Sequence, residues 1–371
     1  MNRTSTFLLL AVGSLLVLSV TMLASATMLK STDSFVIRQA IACAVGFGAF
    51  AFAALLELDW VKKATWYLYG LALVALLLTV SPLGTRSLGA QRWLFGTQPS
   101  EFAKVALVVA LAWFAARYRH RMQTFTAGVL GMGLIAAPVL GLILAEPDKG
   151  TTALLGGVTL LVMLVAGVRW SHVSLTGIAG AVALAVVISQ SGYAMNRVNA
   201  FLKPESNRDA ANQLNQSLYA FSEGGLEGKG LGRGSLKFKV PEQHTDFIFP
   251  VIGEELGLVA TLGVVAAFMI ILLCGASITH RTEDPFLALL AAGITFVIAG
   301  QSCFNMGVVT GLLPNKGIAL PFVSRGGTGI VVMMTLVGLL LNISRQAVVQ
   351  EVADLRRAAN PFDDADTDLP Q

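Results

Sequence analysis

Residues 241–276 read PEQHTDFIFPVIGEELGLVATLGVVAAFMIILLCGA. From Ile248 onward the run is almost wholly apolar. It exceeds the roughly 20 residues that a helix needs to cross the hydrocarbon core of a bilayer. Yet Asp246 stands at its mouth, and Glu254 and Glu255 follow inside it. Charges inside a membrane segment are costly and face a partner or a wet cavity. The apolar run fixes the kind of fold, and the acidic residues raise the question of function.

The rest of the chain agrees with a membrane fold. Of 371 residues, 55% are hydrophobic and 13% charged, and the mean hydropathy is +0.70. A soluble domain carries about twice that charged fraction. Ten stretches read as spans, over 7–28, 37–57, 65–82, 101–117, 126–145, 151–168, 173–190, 248–276, 286–311 and 328–346. The expected fold is therefore all-α, a polytopic membrane protein of about ten transmembrane helices. One transmembrane domain covers 1–347, with an extracytoplasmic loop over 191–246 between helices 7 and 8 and a tail over 348–371. Ala24-Ser25-Ala26 resembles a signal-peptide cleavage site, but the apolar run before it is longer than the ~7–15 residues of a signal core. A retained first helix is expected.

Charge sets the expected orientation. With both termini cytoplasmic, the short inner segments carry Lys62, Lys63, Arg117, Arg119, Arg121, Arg169 and Arg281, and the tail carries Arg345, Arg356 and Arg357. This obeys the positive-inside rule, and Trp60, Trp66 and Trp170 fall at span ends as an aromatic belt would place them. The tail closes on the acidic PFDDADTDLPQ, too poor in apolar residues to fold alone. The net charge of +4 gives no sign of nucleic-acid binding. Cys43, Cys274 and Cys303 each lie in apolar runs without zinc or disulfide spacing, and read as packing residues.

The loop over 191–246 is basic although it faces outward. It carries Arg197, Lys203, Arg208, Lys229, Arg233, Lys237 and Lys239. A solvated basic surface explains this, and so does a site for an anion such as a phosphate. Lys229-Gly230-Leu231-Gly232-Arg233-Gly234 favours the second, because glycines let backbone N–H groups approach an anion closely. No strand precedes it, which excludes a dinucleotide fingerprint.

Four outer segments hold the candidate chemistry. Gly89–Lys104 carries Arg92 and Trp93, then a helix start at Pro99 and Ser100, with Glu101 and Lys104 three apart on one face. That pair is either a local salt bridge or part of a site. Glu146–Thr151, EPDKGT, reads first as a Pro-Asp turn with a cap. Thr245 or Asp246 can N-cap the eighth span, where acidic groups are favoured. On a continuous helix Asp246 and Glu254 lie about two turns apart on one face, roughly 12 Å. Glu254 and Glu255 read mainly as structural. Asn305–Gly329 breaks its helix at Gly311, Pro314 and Gly317, then re-enters with Lys316, Ser324 and Arg325. Non-helical backbone at that depth is tolerated only against protein or a wet cleft.

These segments carry a resemblance. At QRWLFGTQPSEFAK (91–104), EPDKGT (146–151), NRVNAFLKP (196–204), QSLYAFSEGGLEGKGLG (216–232), VPEQHTDFIFPVIGEELG (240–257) and NMGVVTGLLPNKGIALPFVSRGGTG (305–329), the chain resembles the SEDS (shape, elongation, division and sporulation) family of bacterial cell-wall polymerases. The match runs from about residue 85 to 345, and the first three spans match in character only. HTDFIFPVIGEELG and PNKGIALPF place it nearer the division type (FtsW-like) than the elongation type (RodA-like).

The resemblance implies a ten-helix peptidoglycan glycosyltransferase of the bacterial cytoplasmic membrane, at the division septum. Its substrate would be lipid II, a disaccharide-peptide on undecaprenyl diphosphate. Its partners would be a class B penicillin-binding protein and other divisome membrane proteins. The family's essential aspartate falls on Asp246, and Glu101 and Lys104 match the pair lining the same cavity. Some members depend on a divalent cation (Mg or Mn); no other cofactor is implied. Where the family has Ser-Tyr-Gly-Gly-Ser-Ser, this chain has Ser324-Arg325-Gly326-Gly327-Thr328-Gly329. That puts any role carried over to this loop in question.

On this reading Asp246 is the general base toward a sugar 4-hydroxyl. Arg92, Glu101, Lys104, Lys229, Arg233, Lys316, Ser324 and Arg325 are the candidate substrate-binding residues, with Lys104, Arg92 and the basic outer loop orienting and neutralising the diphosphate. His244 stands where it could tune Asp246. No His/Cys metal cluster exists, so any metal would have oxygen ligands. Two rival readings are a lipid II flippase, to which the deeper Glu254, Glu255, Gln301 and Asn305 would belong, and a non-catalytic divisome scaffold.

Overall fold

The computed structural model describes residues 2–27, 33–87, 90–203, 208–235 and 245–359. His244, Lys237, Lys239 and the end of the acidic tail lie outside the described residues. Helices run over α1 (Arg3–Thr27), α2 (Asp33–Leu55), α3 (Leu58–Val80), α4 (Pro99–Arg117), α5 (Met132–Ala145), α6 (Lys149–Val165), α7 (Trp170–Ser189), α8 (Gly192–Leu202), α9 (Arg208–Gly224), α10 (Ile248–Arg281), α11 (Pro285–Val309) and α12 (Gly327–Ala359). A π-helical turn, Phe125–Gly131, leads into α5. The ten spans read from the sequence correspond to α1–α7 and α10–α12. Among the described residues, nine helices are long and apolar enough to cross a membrane, and the tenth, α6, has 17 residues.

Start signals sit where the sequence puts them. Pro285 opens α11 behind Asp284, whose carboxylate accepts from the N–H groups of Phe286 and Leu287. Pro99 also opens α4, behind Gln98, whose side chain makes no cap hydrogen bond. Between α3 and α4 the chain forms a small antiparallel hairpin, β1 (Thr85–Ser87) and β2 (Ala90–Trp93), where the sequence reading expects a loop.

The helices differ sharply in burial. α4 and α11 are largely buried, and both thread the core. In α7 only Val173 is buried, so the rest of that apolar helix is left for lipid. Helix association in lipid depends on close packing and small residues. A Cβ on Gly293 would meet Val108 at 2.4 Å, and one on Gly338 would meet the Phe50 carbonyl at 2.4 Å.

Long-range bonds define the two ends of the bundle. At one end Ser5 and Ser344 share a hydrogen bond of 3.0 Å, and Asn342 Nδ2 donates to the Leu56 carbonyl. Both the start of α1 and the later part of α12 therefore lie at this end. Lys62 pairs with Asp284 there at 3.8 Å. At the opposite end lie the hairpin, the α5–α6 turn, α8, α9 and the segment between α11 and α12. The four polar segments all collect at this second end.

Candidate functional site

α10 begins at Ile248, so Asp246 sits in a turn just before the helix. The N-cap position is Phe247, and no side chain caps it. The capping role expected of Thr245 or Asp246 is thus replaced by anchoring of the turn backbone. Asn305 Nδ2 on α11 donates to the Asp246 carbonyl at 2.9 Å. Ser324 Oγ donates to the Thr245 carbonyl at 2.5 Å and accepts from the Leu320 N–H. Two side chains from downstream thus grip the backbone on either side of a half-buried aspartate.

Asp246 and Glu254 do not share a continuous helical face, because the helix starts two residues after the aspartate. The carboxylate of Asp246 instead faces the re-entrant segment. A Cβ on Gly317 would lie 2.2 Å from Asp246 Oδ2, so glycine is the residue that leaves room for the carboxylate. The same Asn305 amide donates to the Ile318 carbonyl at 2.6 Å, which ties the turn to the segment it faces.

One helical turn earlier on α11, Gln301 Nε2 donates to the Ala319 carbonyl and Gln301 Oε1 accepts from Lys104 Nζ at 2.8 Å. Lys104 also pairs with Glu101 at 2.7 Å and is fully buried. The Glu101–Lys104 pair is therefore a salt bridge and also a strut. It runs through Gln301 to the segment against which Asp246 rests. Glu101 Oε2 and Asn305 Oδ1 are buried without a hydrogen-bond partner.

Lys316, the neighbour of Gly317, reaches the α5–α6 turn. Its Nζ lies 3.5 Å from Asp148 Oδ1, and Arg92 Nη1 lies 3.9 Å from Asp148 Oδ2. Arg92 also donates to the carbonyls of Glu146 and Pro147. Lys316 packs over Gly150, where a Cβ would meet its Cε at 2.6 Å. Arg197 of α8 donates to the Asn315 carbonyl. Arg92 and Lys316 thus converge on Asp148, and Arg197 holds the same segment at Asn315, next to the Gly317 that faces Asp246. Burial pushes the Asp148 carboxyl up, but Arg92, Lys316 and the Thr151 hydrogen bonds outweigh it and hold the group below its ordinary range. Burial lowers the Lys316 ammonium, with Asp148 opposing. Glu146 is buried with neither carboxylate oxygen bonded, and burial with the nearby Asp148 raises it to about 8 against the pull of Arg92.

The basic loop departs from expectation. Lys229 Nζ pairs with Glu223 and, at 3.2 Å, with Glu254. The amides of Gly232 and Gly234 donate to Glu255, and that of Ser235 donates to Glu254. Ser25 of α1 donates to Glu255 as well. The anions that the glycine-rich turn meets are the protein's own carboxylates. Lys229 is thereby committed away from Asp246, and Arg233 is exposed. Glu254 and Glu255 are structural, as the sequence reading expects, but their partners are loop amides and α1. Gly257 follows with φ 76°, and a Cβ there would meet the Leu226 carbonyl at 2.4 Å, so the loop backbone lies in the kink of α10. Arg325 is half-buried at the start of α12.

The structure therefore brings together Asp246, Lys316, Ser324, Arg92, Lys104 and Glu101, and it adds Asn305, Gln301, Asp148, Glu146 and Arg197. The signal for Gln301 and Asn305 was available: two amides four residues apart in an apolar span share a face. Among the described residues no three His, Cys, Asp or Glu side chains group as metal donors.

The family model described as "Cell cycle protein", which covers FtsW, RodA and SpoVE, matches residues 2–348. The chain belongs to this FtsW/RodA/SpoVE family. The "Probable peptidoglycan glycosyltransferase FtsW" of Geobacter metallireducens is 35% identical over 356 residues, covering 92% of this chain and 95% of that protein. The stage V sporulation protein E of Bacillus subtilis is 35% identical over 352 residues, with the same coverage of both. Among solved structures, a chain described under "Structural coordination of polymerization and crosslinking by a peptidoglycan synthase complex" superposes with TM-score 0.77 at 26% identity, over 92% of this chain and 97% of that one. RodA of Thermus thermophilus shares the fold at TM-score 0.70 and 24% identity, over 92% of this chain and 96% of that one. The family membership and the helical bundle agree with the multi-pass membrane protein expected from composition.

Proposed function

We propose that this member of the FtsW/RodA/SpoVE family is a peptidoglycan glycosyltransferase that polymerises lipid II at the outer face of the cytoplasmic membrane during cell division. The relatives named peptidoglycan glycosyltransferase support the reaction class. The observation that carries the mechanism is the seat of Asp246: a half-buried residue against Gly317, its backbone gripped by Asn305 and Ser324, on the segment whose Lys316 joins Arg92 at Asp148 and whose Asn315 is held by Arg197.

Asp246 takes the proton from the acceptor sugar 4-hydroxyl as its oxygen attacks C1 of the donor sugar. The C1–O bond to the diphosphate breaks, and its electron pair leaves with undecaprenyl diphosphate. Such a base contributes about 10²–10⁴-fold. Fixed cations near the leaving group stabilise the charge that develops there. On this reading Lys316, Arg92 and Arg197 take that role, while Lys104 and Glu101 hold, through Gln301, the segment against which Asp246 rests. A divalent cation is not needed by any step of this reading. The structural likeness to a synthase complex fits association with a class B penicillin-binding protein, alongside other divisome membrane proteins, at the septum.

The test is polymerisation of purified lipid II by the wild type and by Asp246→Asn, both checked for folding by thermal melting in detergent. Loss of glycan strands from a folded Asp246→Asn protein is the expected result. Strands formed at the wild-type rate would sink the general-base role, and transport of lipid II without polymerisation by the wild type would favour the flippase reading.

A further inference from the structure

The inner end of the bundle, where α1 starts, carries a charge imbalance that the proposed reaction does not use. α3 and α11 begin there among acidic residues: Glu57 and Asp59 at the start of α3, Glu283 and Asp284 before α11. Lys62 finds Asp284 at 3.8 Å. α4 leaves the outer hairpin and α6 leaves the outer α5–α6 turn, so the α4–α5 and α6–α7 connections lie at the inner end too. Residues 117–131 and 165–176 hold Arg117, Arg119, Arg121 and Arg169, with no acidic residue and no lysine. All four arginines are exposed, and among the described residues none of them pairs with a carboxylate.

The fold packs these two connections against each other. A Cβ on Gly128 would meet Val168 at 3.1 Å, and Phe125 stacks edge-on to His172 with ring centroids 5.7 Å apart. Phe125 follows Arg121 closely, and Val168 and His172 flank Arg169, so the seam sets the 119–121 turn and Arg169 along one edge of the inner face. α7 starts at Trp170 with no side-chain cap, and its free N–H groups add to the positive potential there. The same edge borders lipid. Trp170 is 71% exposed, Tyr118 and Phe125 are exposed, and of α7 only Val173 is buried. Arginine forks match phosphate oxygens two at a time, which lysine does not. Aromatic side chains beside cations belong at the headgroup level of a membrane. A free phosphate would gain nothing from those rings. A lipid headgroup would set its phosphate on the arginines and its glycerol and acyl carbons against Trp170 and α7.

We infer that Arg119, Arg121 and Arg169 form a headgroup site for an anionic phospholipid of the inner leaflet, seated at the seam between the α4–α5 and α6–α7 connections. The site lies at the opposite end of the bundle from Asp246 and does not rest on the polymerase reading. Its bound lipid joins the end of α4, a core helix, to the start of α7, a helix with little protein packing of its own. The lipid thereby pins α7 to the bundle.

The full-length protein is titrated in neutral detergent with phosphatidylglycerol or phosphatidylcholine, and bound lipid is counted by native mass spectrometry. The wild type is expected to retain phosphatidylglycerol in clear preference, and an excess of inorganic phosphate is expected to leave it in place. Arg119→Gln/Arg121→Gln/Arg169→Gln is expected to weaken retention by about 10²-fold. Arg3→Gln/Lys63→Gln/Arg345→Gln removes as many charges from the same face elsewhere and is expected to retain the lipid within about threefold of wild type. Arg119→Lys/Arg121→Lys/Arg169→Lys keeps the charge, and with it the orientation in the membrane, and is expected to bind several-fold more weakly than wild type. No preference for phosphatidylglycerol in the wild type overturns the site and leaves the arginines to orientation or an acidic protein. Displacement by inorganic phosphate overturns the lipid assignment. Equal losses in the two glutamine variants, or a lysine variant that binds like wild type, reduce the effect to the general attraction of a positive face, and the site falls.

Discussion

Two acidic positions at the outer end of α10 have opposite fates. Glu255 is wholly buried, and its carboxylate accepts from Ser25, Gly232 and Gly234. Asp246 is half-buried, and it is the backbone around it that Asn305 and Ser324 hold. In the first case the protein's donors are spent on the carboxylate itself. In the second, Asn305 and Ser324 fix the main chain, and the carboxylate rests against Gly317. Buried charge must be satisfied internally or it destabilises the fold. On the proposed reading, the carboxylate that does the chemistry is held through its backbone instead.

The comparison can be broken most sharply by exchanging the losses. Asp246→Asn is expected to lower lipid II polymerisation by about 10²–10⁴-fold while the melting temperature stays near wild type. Equal damage to both readouts would make Asp246 structural, like Glu255. Gly317→Ala comes next: its methyl displaces the Asp246 carboxylate, and misplacement on the scale of an ångström costs about 10²-fold. Strand synthesis should drop accordingly, and Gly317→Ala combined with Asp246→Asn should be no worse than Asp246→Asn alone.

Glu255→Ala tests the other half. It takes the Glu255 acceptor from the buried Ser25 hydroxyl and Gly234 N–H, while the Gly232 N–H keeps Ser25 Oγ, each unsatisfied group costing about 1–3 kcal/mol. The expected readout is a lowered melting temperature and faster proteolysis in the 225–235 loop. Normal stability would show that the loop is held by other contacts.

The smallest effect concerns Glu146. Its carboxyl rises from an ordinary 4.5 to about 8 in the folded chain, so the folded state binds more protons than the unfolded one between those values. Stability contributed by this group is complete below pH 4.5 and falls as pH climbs toward 8. Glu146→Gln, which cannot ionise, should therefore melt higher than wild type at pH 8 and alike near pH 5. Parallel melting curves at every pH would remove the group from the balance.

Much of this was legible in the chain. Long apolar runs give α1–α7 and α10–α12 because a bilayer demands unbroken helices, and Asp246, Lys316 and Ser324 stood out as polar residues among breakers. Helix ends were less legible: α3 starts at Leu58 and takes in Lys62 and Lys63, whose long stems let the charges reach the interface. What sequence could not give was pairing across distance. The Lys104–Gln301 and Arg92–Asp148 contacts join residues far apart in the chain, and no local spacing signals them. The glycine-rich turn misled for a related reason. Its amides do approach carboxylates closely, but only the fold reveals that those carboxylates are Glu254 and Glu255.

The two clamps on the Asp246 turn also carry a consequence for how the protein is made. Asn305, Gly317 and Ser324 all follow Asp246 in the chain. A nascent polypeptide that has inserted α10 already contains the aspartate but not Asn305, Gly317 or Ser324. The reactive geometry is therefore completed only as the last two spans leave the translocation machinery. A truncated or stalled product would enter the membrane chemically silent.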